Sequence, residues 1–581
     1  MSTTQQAVRP TDPTGGRPVV PSTGVLRPLG LSEIALTGGF WSCRQRTNAQ
    51  ATLAHCQMWM ERLGWVANFD RVADATTRPD RPGLVFSDSE IYKLLEAMAW
   101  EFGRTGDLRV DAAFRALSER VVRAQDADGY LNTSFGHGGQ APRYCDLAGG
   151  HELYCAGHLL QAAVARLRTY GVDELVEAAR RSADHVCDTF GAGGIASVCG
   201  HPEIELGLVE LGRALGEQRY VDQALLFVDR RGHGTLGDHA FGREYYQDDV
   251  PVRDADAWRG HAVRALYLSA AAVDVAVERK DQVLLEAIAR QWANTVARRT
   301  YLTGGMGSHH QDEGFGRDWV LPADRAYCET CAGVGSVMVS WRLFLATGDV
   351  RYADLIERTF FNIVATSVRE DGRAFFYANT LHQRVPGPAV TDDEVSPRAS
   401  SSMRAPWFDV SCCPTNLART MATWHTYAAA IDRTGLSICQ YAAATVRTTL
   451  QARPCAPRCR TGGRSAWTSR RTTPDRDWSR FTSPGRRLDP GPCGCAYRNG
   501  QKEQSYRTAA NAPWRTPASS SLSGRSPSEI RSRSTCPWHL VSPTRRHTST
   551  RFEAVSQSNA DQKCCAWSPS TCQPESAWTR S

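Results

Sequence analysis

Apolar residues recur at three-and-four spacing along most of the chain, the period of a helix that buries one stripe. Over 152–170 the stripe is Leu153, Ala156, Leu160, Ala163, Val164 and Leu167. Over 202–216 it is Ile204, Leu208, Leu211 and Leu215, and over 351–366 it is Tyr352, Ile356, Phe360 and Ile363. The same pattern predicts helices over 88–103, 110–124, 174–190, 219–229, 260–276, 281–299, 330–346 and 415–431, joined mostly by short turns such as ATGD at 346–349. Ahead of them, GLSEIALTGGFW from Gly30 to Trp41 has room for a short strand and a turn at Gly39.

A row of helical hairpins either stacks into a solenoid or closes into a ring. A solenoid shows a repeated sequence motif, and none is visible; closing about six hairpins into an (α/α)6 toroid buries both ring faces without one. The expected fold class is therefore mainly α, an (α/α)6 barrel over 28–435, with its pocket among the loops at one end.

The helical pattern fails at both ends. Residues 1–27, rich in Pro, Thr and Gly, read as a disordered leader. They lack the apolar run of a signal peptide, and no stretch elsewhere reads as a membrane span, so the expectation is a cytoplasmic protein without a membrane partner. The net charge of +7 would point to an anionic partner if it belonged to the fold. However, residues 452–581 hold 22 Lys and Arg against 8 Asp and Glu, so residues 1–451 hold 46 against 53 and are mildly acidic. That basic tail also carries six Trp and eight of the nineteen Cys, with few aliphatic residues to bury. This is the composition of a shifted reading frame in a GC-rich gene. The tail has no recognition motif for nucleic acid, and no nucleic-acid partner is expected.

The densest chemistry lies in Tyr327-Cys328-Glu329-Thr330-Cys331 and Ser411-Cys412-Cys413-Pro414, each directly ahead of a helical pattern. A helix N-terminus favours a thiolate, which is both a zinc ligand and a nucleophile. Three readings fit: a closed zinc site of Cys328, Cys331, Cys412 and Cys413, buried unligated thiols, or a catalytic site. Upstream, TGGMGSHHQDEGFG gathers His309, His310, Asp312 and Glu313 in a glycine-rich loop.

These residues resemble the β-L-arabinofuranosidases of glycoside hydrolase family 127. The resemblance runs from about Leu31 to Val446. It is carried by GGFW at 38–41, DGYLN at 128–132, GHELYCAGH at 150–158, GHPEIELGLVEL at 200–211, GHAVRALYL at 260–268, TGGMGS at 303–308, ETCA at 329–332 and CCPTN at 412–416. It implies an (α/α)6 barrel and zinc held by Glu329, Cys331, Cys412 and Cys413, with Cys328 a neighbour. It also implies Cys412 as nucleophile, Glu313 as acid/base, and His151, His201, His261 and Tyr377 as sugar-binding residues. Glu203 and Glu205 stay open as sugar ligands or capping carboxylates, and Glu152 is given no role.

The implied partner is a small oligosaccharide or glycoside; a homodimer is left open. The family continues past the barrel into β-sandwich domains, whose first strand region would begin over 436–451, where the resemblance fades. The leading functional expectation is a retaining hydrolase that releases L-arabinose by a zinc-bound cysteine. The alternatives are an inert, truncated zinc-binding barrel and a sugar epimerase or lyase on a helical toroid.

Overall fold

The computed structural model describes residues 15–77, 80–385, 390–398 and 403–448. Twelve main helices among them alternate between an outer and an inner ring. The outer helix α1 runs through Gly39–Thr47, a π-helical turn at Asn48–Thr52 and Leu53–Arg62. Its inner partner α2 is Ser87–Thr105. The following pairs, outer then inner, are α3 (Leu108–Arg123) with α4 (Glu152–Thr169), α5 (Glu174–Phe190) with α6 (Ile204–Leu215), and α7 (Gln218–Arg230) with α8 (Ala262–Arg279). The last two are α9 (Gln282–Arg298) with α10 (Thr330–Thr347), and α11 (Val350–Thr359, extended by a π turn) with α12 (Cys412–Thr423).

Inner helices pack in the order α2, α4, α6, α8, α10, α12 and back to α2, so the ring closes as an (α/α)6 barrel. Composition follows position. Outer helices such as α5 bury one stripe (Leu175, Val176, Ala179, Ala183, Val186), whereas inner helices are buried almost all round. The inner helix α10 is long and apolar enough to cross a membrane, but 89% of it is buried inside the protein, which explains its composition without a bilayer. Away from the site, buried ion pairs tie four inner helices together. Arg168 of α4 meets Glu210 of α6 at 2.8 Å, Arg213 of α6 meets Asp274 of α8 at 2.8 Å, and Arg342 of α10 meets Asp274 at 2.5 Å. Breaking one partner there would strand a buried charge.

Closure of first helix on last was not readable from apolar periodicity. The face of α1 turned to the core carries a polar row beside the apolar Leu53, Cys56, Trp59 and Met60: Gln45, Asn48, Thr52 and His55, spaced three, four and three apart, are all buried. Gln45 donates to the Met421 carbonyl at 3.0 Å and Asn48 to that of Ala418 at 2.9 Å, both on α12. Thr52 donates to Gly372 O at 2.9 Å, and His55 Nε2 lies 2.9 Å from Pro406 O. Trp41 stacks on Trp424 with ring centroids 4.1 Å apart.

Three expectations need correction. Residues 15–27, expected as part of a disordered leader, pack on the barrel: Val19 and Leu26 are buried, and Leu26 N donates to Leu345 O at 3.0 Å. The helix expected over 415–431 ends at Thr423, and Ala429–Ile431 is a strand, because a central place in a three-stranded sheet between Arg27–Pro28 and Leu436–Ile438 overrides the helical propensity of its alanines. Ala443–Val446, in the segment expected to open a β-sandwich, pairs antiparallel with Ile34–Gly38 just ahead of α1. The tail at 452–581 lies outside the described residues, as do residues 1–14.

The two ends of the barrel are built differently. Turns from inner to outer helices are tight: Gly106 and Gly348 take left-handed backbone, and Asp107 and Asp349 cap the next helix. Connections from outer to inner helices are long, as in 124–151, 231–261 and 299–329. Long loops therefore gather at the N-termini of the inner helices and wall a cavity there.

Candidate active site and metal cluster

The cavity measures about 190 Å³ and its lining includes His151, His201, His261, Glu313, Glu329, Tyr377 and Cys412. All the residues expected to act on substrate thus reach one space. A wider cleft of about 700 Å³, walled by Arg17, residues 20–28, Glu33 and 431–433, has no comparable set of nucleophiles and acids.

The side chains of the Glu–Cys cluster are placed by the starts of two inner helices. Glu329 sits immediately before α10 and Cys331 in its first turn, while Cys412 and Cys413 open α12. Ser411 sets the entry to α12 by donating to Phe408 O and accepting from Phe408 N, both at 2.9 Å. The segment carrying Tyr377 runs beside the start of α10, with Thr330 N donating to Tyr377 O at 2.9 Å. Residues more than eighty positions apart are thereby brought into contact. Cys412 Sγ lies 3.1 Å from Glu329 Oε1 and 3.3 Å from the Tyr377 hydroxyl, and the Cys331 and Cys413 sulfurs are 3.4 Å apart.

Donor atoms of Glu329, Cys331, Cys412 and Cys413 all lie within 4.8 Å of one another, so the group could hold a metal ion. Of the four residues, Cys412 keeps some exposure. Burial, then the neighbouring Cys412 charge, pushes the Glu329 carboxyl well above its ordinary range, and its Oε2 is buried without a hydrogen-bond partner. Burial also raises Cys331, but hydrogen bonds from Cys412 and Cys413 outweigh it and hold that thiol down at about 7. Cys412 moves the opposite way, raised first by its bond to Cys331. Four acidic groups packed this tightly compete for negative charge, which a cation would relieve. Cys328 takes no part. It is buried in a separate small cluster with Tyr301 and Ala326, which rules out the four-thiolate arrangement.

Three histidines form one side of the cavity, with ring centroids 5.8 Å apart from His151 to His201 and 5.9 Å from His201 to His261. Burial, then the charge of Arg264, lowers the first two, His151 to about 3 and His201 well below its ordinary value. Their Nδ1 atoms face carbonyl oxygens, His151 that of Gly149 at 2.5 Å and His201 that of Pro202 at 3.0 Å. A carbonyl only accepts, so Nδ1 carries the proton and each Nε2 is an acceptor, suited to a sugar hydroxyl.

Glu313 sits in left-handed backbone at φ 54°, as His151 does at 58°, so the loops aim both side chains at a cost in local strain. Its Oε2 is 3.5 Å from His261 Nε2, and Oε1 accepts from Arg398. Burial raises this carboxyl, but His261 and Arg398 together hold it down at about 2. Arg398 was missed by sequence reasoning, since its segment has no periodicity or motif. Arg264, also missed, lies three residues after His261 in GHAVRAL, where helical spacing alone could have placed it on the same face. Glu203 and Glu205 do not line the cavity: Glu203 is buried against Gln161, and Glu205 lies 3.5 Å from Arg231.

With this geometry in hand, comparisons with known proteins are specific. Residues 33–426 match the β-L-arabinofuranosidase GH127 catalytic domain. The non-reducing end β-L-arabinofuranosidase of Bifidobacterium longum subsp. longum is 34% identical over 384 residues, 62% of this chain; the chain spans 58% of that relative's length. The structure of a GH127 β-arabinofuranosidase superposes with a TM-score of 0.66 at 31% identity, covering 73% of this chain and 66% of that one. A GH127 β-L-arabinofuranosidase from Geobacillus stearothermophilus T6 gives 0.65 at 31% identity, covering 72% and 69%. The chain belongs to the GH127 β-L-arabinofuranosidase family, whose catalytic domain occupies residues 33–426.

Proposed function

We propose that this protein is a retaining glycoside hydrolase that releases L-arabinose from β-L-arabinofuranosides, with Cys412 as nucleophile and Glu313 as acid/base. The observation that carries the reading is the position of Cys412. It is the partly exposed thiol of a buried cluster and shares one cavity with Glu313 and three histidines. The same residues in an epimerase or lyase would leave the adjacent cysteines without a task, and family membership favours hydrolysis.

Three sulfurs and one carboxylate with an unpartnered buried oxygen suit zinc, so Glu329, Cys331, Cys412 and Cys413 are the proposed ligands. Bound there, zinc would keep the sulfurs deprotonated at neutral pH. Cys412 Sγ attacks the anomeric carbon as the glycosidic C–O bond breaks, and Glu313 gives its proton to the leaving oxygen. Glu313, now a carboxylate, takes a proton from water whose oxygen displaces the sulfur, and two displacements retain configuration. The Tyr377 hydroxyl orients Cys412, while His151, His201 and His261 receive sugar hydroxyls. Proton donation requires Glu313 to part from Arg398. The arginine side chain is 38% exposed against 8% for Glu313, so it is the partner with room to move, and a carboxyl freed of that contact takes up the proton it then donates.

The test is release of a chromophore from a β-L-arabinofuranoside by reduced, zinc-replete protein. Release that is lost in Cys412→Ser supports the reading, and full activity in that variant removes the mechanism. No release by folded, zinc-loaded protein favours the inert barrel or another glycoside.

A further inference from the structure

Lys93 of α2 has no part in the mechanism above, yet its side chain and that of Glu90 have no solvent exposure and meet at 2.7 Å. Lysine is rarely buried completely, and a buried ion pair usually gives no more stability than apolar packing of the same volume. The charge therefore calls for a local reason, and the surroundings supply one. Glu90 Oε1 takes Lys93, while its Oε2 accepts from Thr415 Oγ1, three residues beyond Cys412 on α12. Thr415 Oγ1 is also 3.4 Å from the Cys412 carbonyl. The Lys93 ammonium lies 5.9 Å from the ring centre of Tyr154, which lines the cavity together with Cys331 and Cys412. Burial works against the charge on Lys93, and the carboxylate of Glu90, then the sulfurs of Cys412 and Cys331, favour it. Glu90 occupies one of the three ammonium N–H groups. Like Lys93 with Glu90, other cations near the site have partners: Arg398 with Glu313, Arg419 with Glu96 and Gln161, and Arg264 over the rings of Tyr245 and Tyr246.

We propose that Lys93 is a positioning residue for the metal cluster, a buried counter-cation that offsets the excess negative charge of Glu329, Cys331, Cys412 and Cys413 once they hold a divalent ion. The inference rests on the metal reading given above. Three thiolates and a carboxylate carry two more negative charges than such an ion neutralises. In a site this buried, that excess favours a fixed positive charge nearby. Glu90 and Thr415 hold the ammonium in register with the start of α12.

Zinc affinity of the full-length protein, measured by competition with a chromophoric chelator, tests this without reference to activity. Lys93→Met, close in shape and uncharged, should weaken zinc binding by tenfold or more. The thiolate-to-metal absorption band of the cobalt-substituted protein should be retained, showing that the ligand set is intact. Glu90→Gln removes the opposing charge and should tighten binding, a change of sign that loss of packing does not produce. A folded Lys93→Met protein with the wild-type cobalt band and unchanged zinc affinity overturns the role. If that variant does not fold, unchanged or weaker binding by Glu90→Gln overturns it instead. Wild-type protein that takes up no zinc defeats the metal reading itself, a failure distinct from wild-type binding that is insensitive to Lys93.

Discussion

Outer helices α3, α5, α9 and α11 begin on Asp107, Asp173, Asp281 and Asp349, whose carboxylates accept hydrogen bonds from backbone N–H groups of the first turn. Inner helices α4, α8 and α10 begin on His151, His261 and Glu329, none of which caps its helix through the side chain. A side-chain cap contributes about 1 kcal/mol. The inner ring does without it because burial from both sides already holds those helices, and the side chains at their N-termini are released to face the cavity. Substitutions at inner starts should therefore remove function, whereas those at outer starts should remove only stability.

The largest effect expected is at Cys412. Cys412→Ser should abolish turnover of the chromogenic arabinofuranoside while the far-ultraviolet spectrum and melting temperature stay near wild type. Loss of the fold together with activity would undo the contrast between rings. Next is His201→Ala, which removes one acceptor from the sugar site. Steady-state kinetics should show KM raised about tenfold, the value of one lost hydrogen bond near 1.4 kcal/mol, with a smaller change in kcat. An unchanged KM would take His201 out of the subsite.

A third effect is in pH dependence. The folded-state value of His151 is about 3 against an ordinary 6.5, because burial keeps the imidazole neutral. The unfolded chain binds a proton below 6.5 that the folded protein refuses, so stability present above 6.5 is lost as pH falls from 6.5 toward 3. Urea titrations of His151→Asn should show a flatter decline over that window than wild type; parallel curves would mean that the ring is protonated in the fold. The smallest effect belongs to the outer ring. Asp349→Ala, which removes a cap whose ion pair with Arg351 is exposed, should cost about 1 kcal/mol in urea unfolding with kcat/KM unchanged. A fall in kcat/KM there would blur the distinction.

Agreement between sequence and structure followed the source of each signal. Helices with apolar stripes, such as α5 at Glu174–Phe190, match their expected bounds because the 3.6-residue period is local. The helix α1 was absent from the expected set because a polar row interrupts its apolar stripe, and that row is buried only by distant contacts such as those to the carbonyls of α12. Arg398 was invisible for a related reason, since its ion pair is with Glu313, 85 positions earlier in the chain.

The sequence by itself determined the helical period, the alternation of hairpins and the supply of chemistry-bearing residues ahead of 330 and 412. These follow from interactions within a few residues of each other. Tertiary structure decided which of those residues meet. Cys412 reaches Glu329 across 83 positions, Cys328 turns into a separate cluster, and Ala429–Ile431 becomes a strand. Ring closure sets these distances, and it depends on the packing of all twelve helices rather than on any one segment.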